Sequence, residues 1–360
     1  MLAPLVVAFA TALVGAGVYA RLAPRRALDV PNERSSHTRP TPTGGGAVIV
    51  GGFLLGLGAW LASSPSVLSP RALGWLAGAL LVAGVSFVDD LRPLPAIPRL
   101  LTHGLGAVVL TVVGVQDREL PLLAGLPLAF LWIAVVTNVY NFMDGIDGLA
   151  ASQAIVAGAA MALAGTAVGN PLVATGAGLL AAASAGFLFS NVPPARLFMG
   201  DVGSTFLGFS FAGLSLLGNL GVGGGRLPVE FGLVILAPFL FDGLLTLARR
   251  ILRGERWYAA HRSHYYQRLV QAGLSHGQVT GLYACLAVAA AVAGLAGLSL
   301  ETPLREALAG LAYVPMLGVV ALVWRLEAPD RSARLAQSRD RTDPLEQLNE
   351  APTVVTQGRS

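Results

Sequence analysis

Apolar runs close to twenty residues long recur along the whole of this chain, and they constrain its fold more than any other feature. A helix needs about twenty apolar residues to cross roughly 30 Å of hydrocarbon. Eleven such runs are readable: 2–20, 45–64, 72–88, 100–115, 120–140, 149–168, 171–190, 204–220, 228–248, 279–298 and 306–324. A buried soluble helix would explain any one of them, but not eleven. The 360 residues are 54% hydrophobic and 12% charged, against about a quarter charged in a soluble domain. The expected fold is therefore all-α: a polytopic integral membrane protein with about 11 transmembrane helices. Residues 1–325 would form the membrane domain and 326–360 a polar, disordered cytoplasmic tail.

The basic residues test this topology. All 24 are arginine, which excludes a P-loop lysine, a Schiff-base lysine and a lysine general base. The single cysteine, Cys285, excludes a disulfide framework and a thiolate metal cluster. Arg21, Arg25 and Arg26 follow the first apolar run instead of preceding it, which reads as a retained helix with its N-terminus outside and not as a signal peptide. Threading eleven helices from that start puts 20 arginines on cytoplasmic segments and leaves only Arg71, Arg118, Arg226 and Arg305 opposite. That is the positive-inside pattern. The net charge of +4 thus describes a sided membrane surface, and no nucleic-acid partner is expected.

The cytoplasmic loops carry the chemistry. Asp89 and Asp90 end the third run, Asp144 and Asp147 flank a glycine turn after the fifth, and Asp201 stands just before the eighth. Five acids on one membrane face, without cysteine, suit a hard cation such as Mg²⁺ or Mn²⁺ whose remaining ligands are phosphate oxygens and water. Singly, Asp147 or Asp201 reads equally well as a helix N-cap or a solvated loop residue. Glycines at 44–46, 145, 148, 200 and 203 allow close backbone approach to a ligand, and the helix starts near 149 and 204 favour an anion. His261 and His264 lie three apart, on one face if that segment is helical, with Arg256, Arg262 and Arg268 interleaved. Phosphate contact and an interfacial basic helix on anionic lipid are both open readings of this loop. The same choice applies to His37 beside Arg34 and Arg39.

Together these motifs resemble the polyprenyl-phosphate N-acetylhexosamine-1-phosphate transferases of glycosyltransferase family 4, which include the phospho-N-acetylmuramoyl-pentapeptide transferases. The resemblance spans roughly residues 1–325. It rests on Asp89-Asp90, on Asn141-Phe142-Met143-Asp144-Gly145-Ile146-Asp147-Gly148 and on Phe198-Met199-Gly200-Asp201-Val202-Gly203-Ser204. The stretch from His261 to Leu269 is similar to the O-antigen-initiating branch and departs from the contiguous histidine run of the muramoyl-pentapeptide branch. The resemblance implies transfer of sugar-1-phosphate from a UDP-N-acetylhexosamine to undecaprenyl phosphate with release of UMP, at the cytoplasmic face of the inner (plasma) membrane. It implies Asp201 and Asp90 as Mg²⁺ ligands, and Asp89, Asp90, His261 and His264 as catalytic. Asn138, Asn141, Asp144, Asp147, Asn191, Arg262, Arg34, His37, Arg92 and Arg99 would bind substrate, with Arg34, Arg92 or Arg99 in place of lysines found in some relatives. Membrane lipid and a second copy of the chain, as a homodimer, are further partners. The alternatives are the muramoyl-pentapeptide reaction and, from another class, a polytopic transporter; the polar motifs sit at helix ends on one side, and a mid-membrane transport site would place them elsewhere.

Overall fold

The computed structural model describes residues 2–23, 27–29, 40–64, 68–92, 94, 101–102, 104–110, 122–256 and 261–328. In chain order these form α1 (Leu2–Leu22), β1 (Leu28–Asp29), β2 (Thr41–Pro42), α2 (Gly46–Ser63), α3 (Pro70–Leu91), α4 (Leu122–Phe142), α5 (Leu149–Ala167) and α6 (Pro171–Asn191). They continue with α7 (Gly200–Asn219), α8 (Val229–Ile235), α9 (Ala237–Leu252), α10 (Tyr265–Gln271), α11 (His276–Gly297), α12 (Thr302–Leu311) and α13 (Val314–Leu326). The two strands are a two-residue antiparallel pair inside the first loop. The protein is an all-α polytopic membrane protein.

Among the described residues, eight helices are long and apolar enough to cross a membrane, or nine if one bent pair counts as a span. The difference from eleven has three sources. The run at 100–115 is described only in part, as helix over 104–110. The run at 204–220 is the long helix α7, whose polar first turns lower its hydropathy and whose residues from Val202 to Leu214 are buried against other helices. The run at 228–248 breaks into α8 and α9, which meet at 80°. Pro238 accounts for the break, since it has no N–H to continue the ladder and cannot be accommodated in a helix interior. Buried Gln153 of α5 donates to the Ile235 carbonyl at 2.8 Å and so satisfies a group that lipid would leave bare.

Helix α7 is the axis of the bundle. It packs against α3, α4 and α2, while α6 packs against α5 and α1. Phe53 of α2 meets Phe206 and Trp75 edge-on, with ring centroids 5.5 and 5.9 Å away. At the site end, Gly46 and Gly203 lie backbone to backbone, and a Cβ on either would strike the other helix. Small residues at such crossings let helices approach closely where lipid offers no hydrophobic drive.

The last turns of α3, α4 and α6 and the first turns of α5 and α7 meet at one end of the bundle. Glu230 and Arg305 pair elsewhere, at the starts of α8 and α12. Residues beyond 328 lie outside the described set, but Glu327, assigned by sequence to the tail, belongs to the folded unit. Its carboxylate takes both Nε and Nη2 of Arg268 at 2.7 Å.

Candidate active site

Three helix ends build the centre of the site. Asp90, in the last turn of α3, points across to the start of α7, where its Oδ1 accepts from Asp201 N–H at 2.8 Å and its Oδ2 from Val202 N–H at 3.0 Å. The Asp90 carboxylate thus caps α7 and complements the positive end of that helix. Asn141, in the last turn of α4, donates from one amide nitrogen to Asp201 Oδ1 at 2.9 Å and to Ser204 Oγ at 3.0 Å. Asp144 follows in the turn after α4. Desolvation, then the negative charges of Asp201, Asp90 and Asp147, push its carboxyl well above the ordinary carboxylate range. Each carboxylate disfavours the charge on its neighbours, an effect that a bound cation would offset.

The donors here are carboxylate, amide and hydroxyl groups. Among the described residues no three His, Cys, Asp or Glu side chains converge as a metal cage. Mg²⁺ is typically held by one or two carboxylates, with phosphate oxygens and water completing its shell, so these residues suit that ion far better than zinc.

The other acids of the sequence motifs are turned to structural work. Asp89 Oδ1 accepts from Leu94 N–H at 2.5 Å and holds the chain as it leaves α3. Asp147 accepts from Ala195 N–H at 3.0 Å and lies 3.3 Å from His276 Nδ1, while its carbonyl accepts from Thr280. Asn191 is buried, with its amide spent between Gly148 N–H and the Leu197 carbonyl, both at 2.9 Å. Asn138 donates back along α4 to the Ala134 carbonyl. The glycines at 45 and 46, read as a ligand cradle, instead give their N–H groups to the Phe198 and Met199 carbonyls at 2.9 and 2.7 Å. They dock the first loop onto the Asp201 motif.

The histidine loop arrives from the opposite side. The 261–264 segment is not helical; α10 begins at Tyr265, so the helical spacing argument fails there. The two rings nevertheless meet, tilted by 32° with centroids 4.9 Å apart. Buried Asp242 on α9 accounts for this. Its Oδ1 accepts from Tyr265 N–H at 2.8 Å and lies 3.3 Å from His264 Nδ1; its Oδ2 accepts from Tyr266 N–H at 3.0 Å and from the Tyr283 hydroxyl at 2.5 Å. His264 is 3% exposed, so it positions the loop while His261 faces outward. Desolvation, followed by the nearby His264 and the Arg250 and Arg249 charges, lowers His261 to about 4, so its ring is neutral near pH 7. Tyr266 ties this unit to the aspartate motif: its hydroxyl donates to the Phe142 carbonyl at 3.0 Å over Gly145, where any Cβ would strike the phenol.

Arg92 is exposed at the end of α3, and Arg262 lines a recess behind the histidine loop. Arg34, His37 and Arg99 lie outside the described residues. Sequence reading missed Asp242 as a positioning residue, although a lone acid in an apolar run followed by His-x-x-His-Tyr-Tyr was there to see.

The profile described as glycosyl transferase family 4 matches residues 72–219. That stretch holds Asp89, Asp90, the 138–148 motif and Asp201. A probable undecaprenyl-phosphate N-acetylglucosaminyl 1-phosphate transferase of Bacillus subtilis is 31% identical over 282 residues, which is 75% of this chain and 77% of the relative. The chain belongs to this family. It is a membrane enzyme, a phosphotransferase for substituted phosphate groups. A decaprenyl-phosphate N-acetylglucosaminephosphotransferase of Mycobacterium leprae is 30% identical, covering 77% of each chain. A phospho-N-acetylmuramoyl-pentapeptide-transferase of Heliobacterium modesticaldum reaches 41%, but over 40% of this chain and 43% of its own.

Proposed function

We propose that this enzyme transfers the sugar-1-phosphate of a UDP-N-acetylhexosamine to undecaprenyl phosphate, giving undecaprenyl-diphospho-N-acetylhexosamine and UMP. This would be the first membrane step of O-antigen or another cell-envelope polysaccharide. The observation that carries the reading is the meeting of Asp90, Asn141, Asp144 and Asp201 at one end of the bundle, where their charges oppose one another. A polyprenyl acceptor stays in lipid while a nucleotide arrives from water, so the reaction requires such a boundary. The arginine distribution supports the cytoplasmic face as that boundary.

Phosphoryl transfer asks mainly for alignment and for neutralisation of oxygens. Asp201, oriented by Asn141, would hold Mg²⁺, with Mn²⁺ as a substitute; the ion would neutralise and align the diphosphate oxygens. Asp90 acts by fixing the start of α7, and with it the Asp201 side chain. The acceptor phosphate, with a second pKa near 6, is already mostly dianionic at neutral pH, so base catalysis is dispensable. Neutral His261 would offer a hydrogen bond to the diphosphate or sugar without adding charge, held there by His264 and Asp242.

The test is purified protein with undecaprenyl phosphate and a panel of UDP-sugars, with and without EDTA. UMP release that needs both lipid and divalent ion, with one N-acetylhexosamine preferred, is the expected result. Turnover without metal would remove the cation from the reading. Release without lipid acceptor would remove the transferase. Turnover of the muramoyl-pentapeptide donor alone would move the enzyme to that branch.

A further inference from the structure

Behind the histidine loop, the end of α9, helix α10 and the end of α13 enclose a recess of about 400 Å³. Arg249, Arg253, Arg262 and Arg268 line it against one acid, Glu327, which is already engaged in the two-pronged pair with Arg268. The lining is therefore net positive. Arg249 and Arg268 both stack on the Tyr265 ring, 5.4 and 4.9 Å from its centroid, which brings like charges together. Arg249 Nη2 donates to the Ser263 carbonyl at 2.6 Å, but Arg249 Nε and Arg268 Nη1 are buried donors with no acceptor among the described residues. An anion in the recess would supply counter-charge to both guanidinium groups, whose orphan N–H groups are closed off from water.

The surroundings of the recess choose the kind of anion. Trp324 at its edge is 58% exposed, in the position where aromatic side chains meet a bilayer surface. Ile251 and Leu252 of α9 are also exposed and apolar, between Arg250 and Arg253 in sequence. A basic recess next to apolar helix surface at the end of membrane spans is the arrangement that takes a phosphate headgroup with its acyl chains still in lipid. We infer that this recess binds the phosphate of an anionic phospholipid and that the bound lipid braces the 261–264 loop through Arg249 and Ser263. The site lies apart from the aspartates, and the inference does not depend on the identity of the sugar or of the acceptor.

Native mass spectrometry of the detergent-purified full chain, titrated with phosphatidylglycerol and separately with phosphatidylcholine, reads the site. Phosphatidylglycerol should be retained about tenfold more strongly, and Arg249→Gln with Arg268→Gln should bring the two lipids to parity. Arg268 also holds Glu327, so that double variant risks losing α10. Arg253→Gln, at an exposed side chain, is the second variant, expected to lower retention severalfold with an unchanged melting temperature. Equal retention of the two lipids by the unaltered protein, or a preference untouched by Arg253→Gln in folded protein, overturns the inference. Displacement of phosphatidylglycerol by an equal concentration of inorganic phosphate would make a free anion the ligand and overturn the headgroup assignment.

Discussion

Asp144 and Asp242 are both aspartates enclosed by helix ends, and the protein treats them in opposite ways. Asp242 receives two backbone N–H groups and a tyrosine hydroxyl, and faces a histidine ring nitrogen. Asp144 receives the fields of three other carboxylates. The first is a completed structural centre that fixes the histidine loop. The second stands in a charge arrangement left open for something positive. Asp242 is fully buried and Asp144 half-buried, but the sharper difference is the balance of donors against charges.

The sharpest way to break that contrast is to neutralise each side of it. Asp201→Asn should lower UMP release about a hundred- to a thousand-fold while leaving the melting temperature near that of the unaltered protein, because the carboxylate is needed for charge and not for packing. A variant that instead unfolded would make the aspartate cluster as structural as Asp242. Asp242→Asn should do the reverse, destabilising by about 1–3 kcal/mol as an amide N–H is turned towards donors, seen as a lower melting temperature in detergent. Activity would fall with the loss of folded protein. Asp90→Asn keeps one acceptor for the start of α7, so a cost of about 1 kcal/mol is expected, with activity partly kept at every pH. Full recovery at alkaline pH, where the acceptor phosphate is fully ionised, would reassign Asp90 as a base.

The smallest effect concerns His261. The folded protein binds its proton only near pH 4, whereas the unfolded chain binds it near the ordinary value of 6.5. Stability from this group is complete above about pH 6.5 and is lost as the pH falls towards 4. His261→Gln should flatten the decline in melting temperature over that window, and an unchanged slope would show that the ring is charged in the folded state.

Much of this was legible in sequence because lipid enforces simple rules. Apolar length marked the helices, and arginine sidedness brought Asp90, Asn141, Asp144 and Asp201 to one end before any contact was known. The roles of individual polar groups were less legible. Asp147 shares a motif with Asp144, and Asn191 shortly precedes the Asp201 motif, yet Asp147 accepts from Ala195 N–H and Asn191 from Gly148 N–H. Only the backbone path decides which amide finds which carboxylate. The break at Pro238 was also hidden, because a proline in an apolar run does not tell whether the helix kinks, ends or turns by 80°.

That break bears on how the chain matures. The open carbonyl of Ile235 and the amide of Gln153 lie 82 residues apart in sequence, and each is poorly tolerated in hydrocarbon without the other. Helix α5 is synthesised first and must keep its glutamine partnered with water or a transient neighbour until α8 docks. Everything downstream of the break, including Asp242, the histidine loop and the arginine recess, then takes its place from that docking. One hydrogen bond between α5 and α8 thus ties the break to the part of the bundle made earlier.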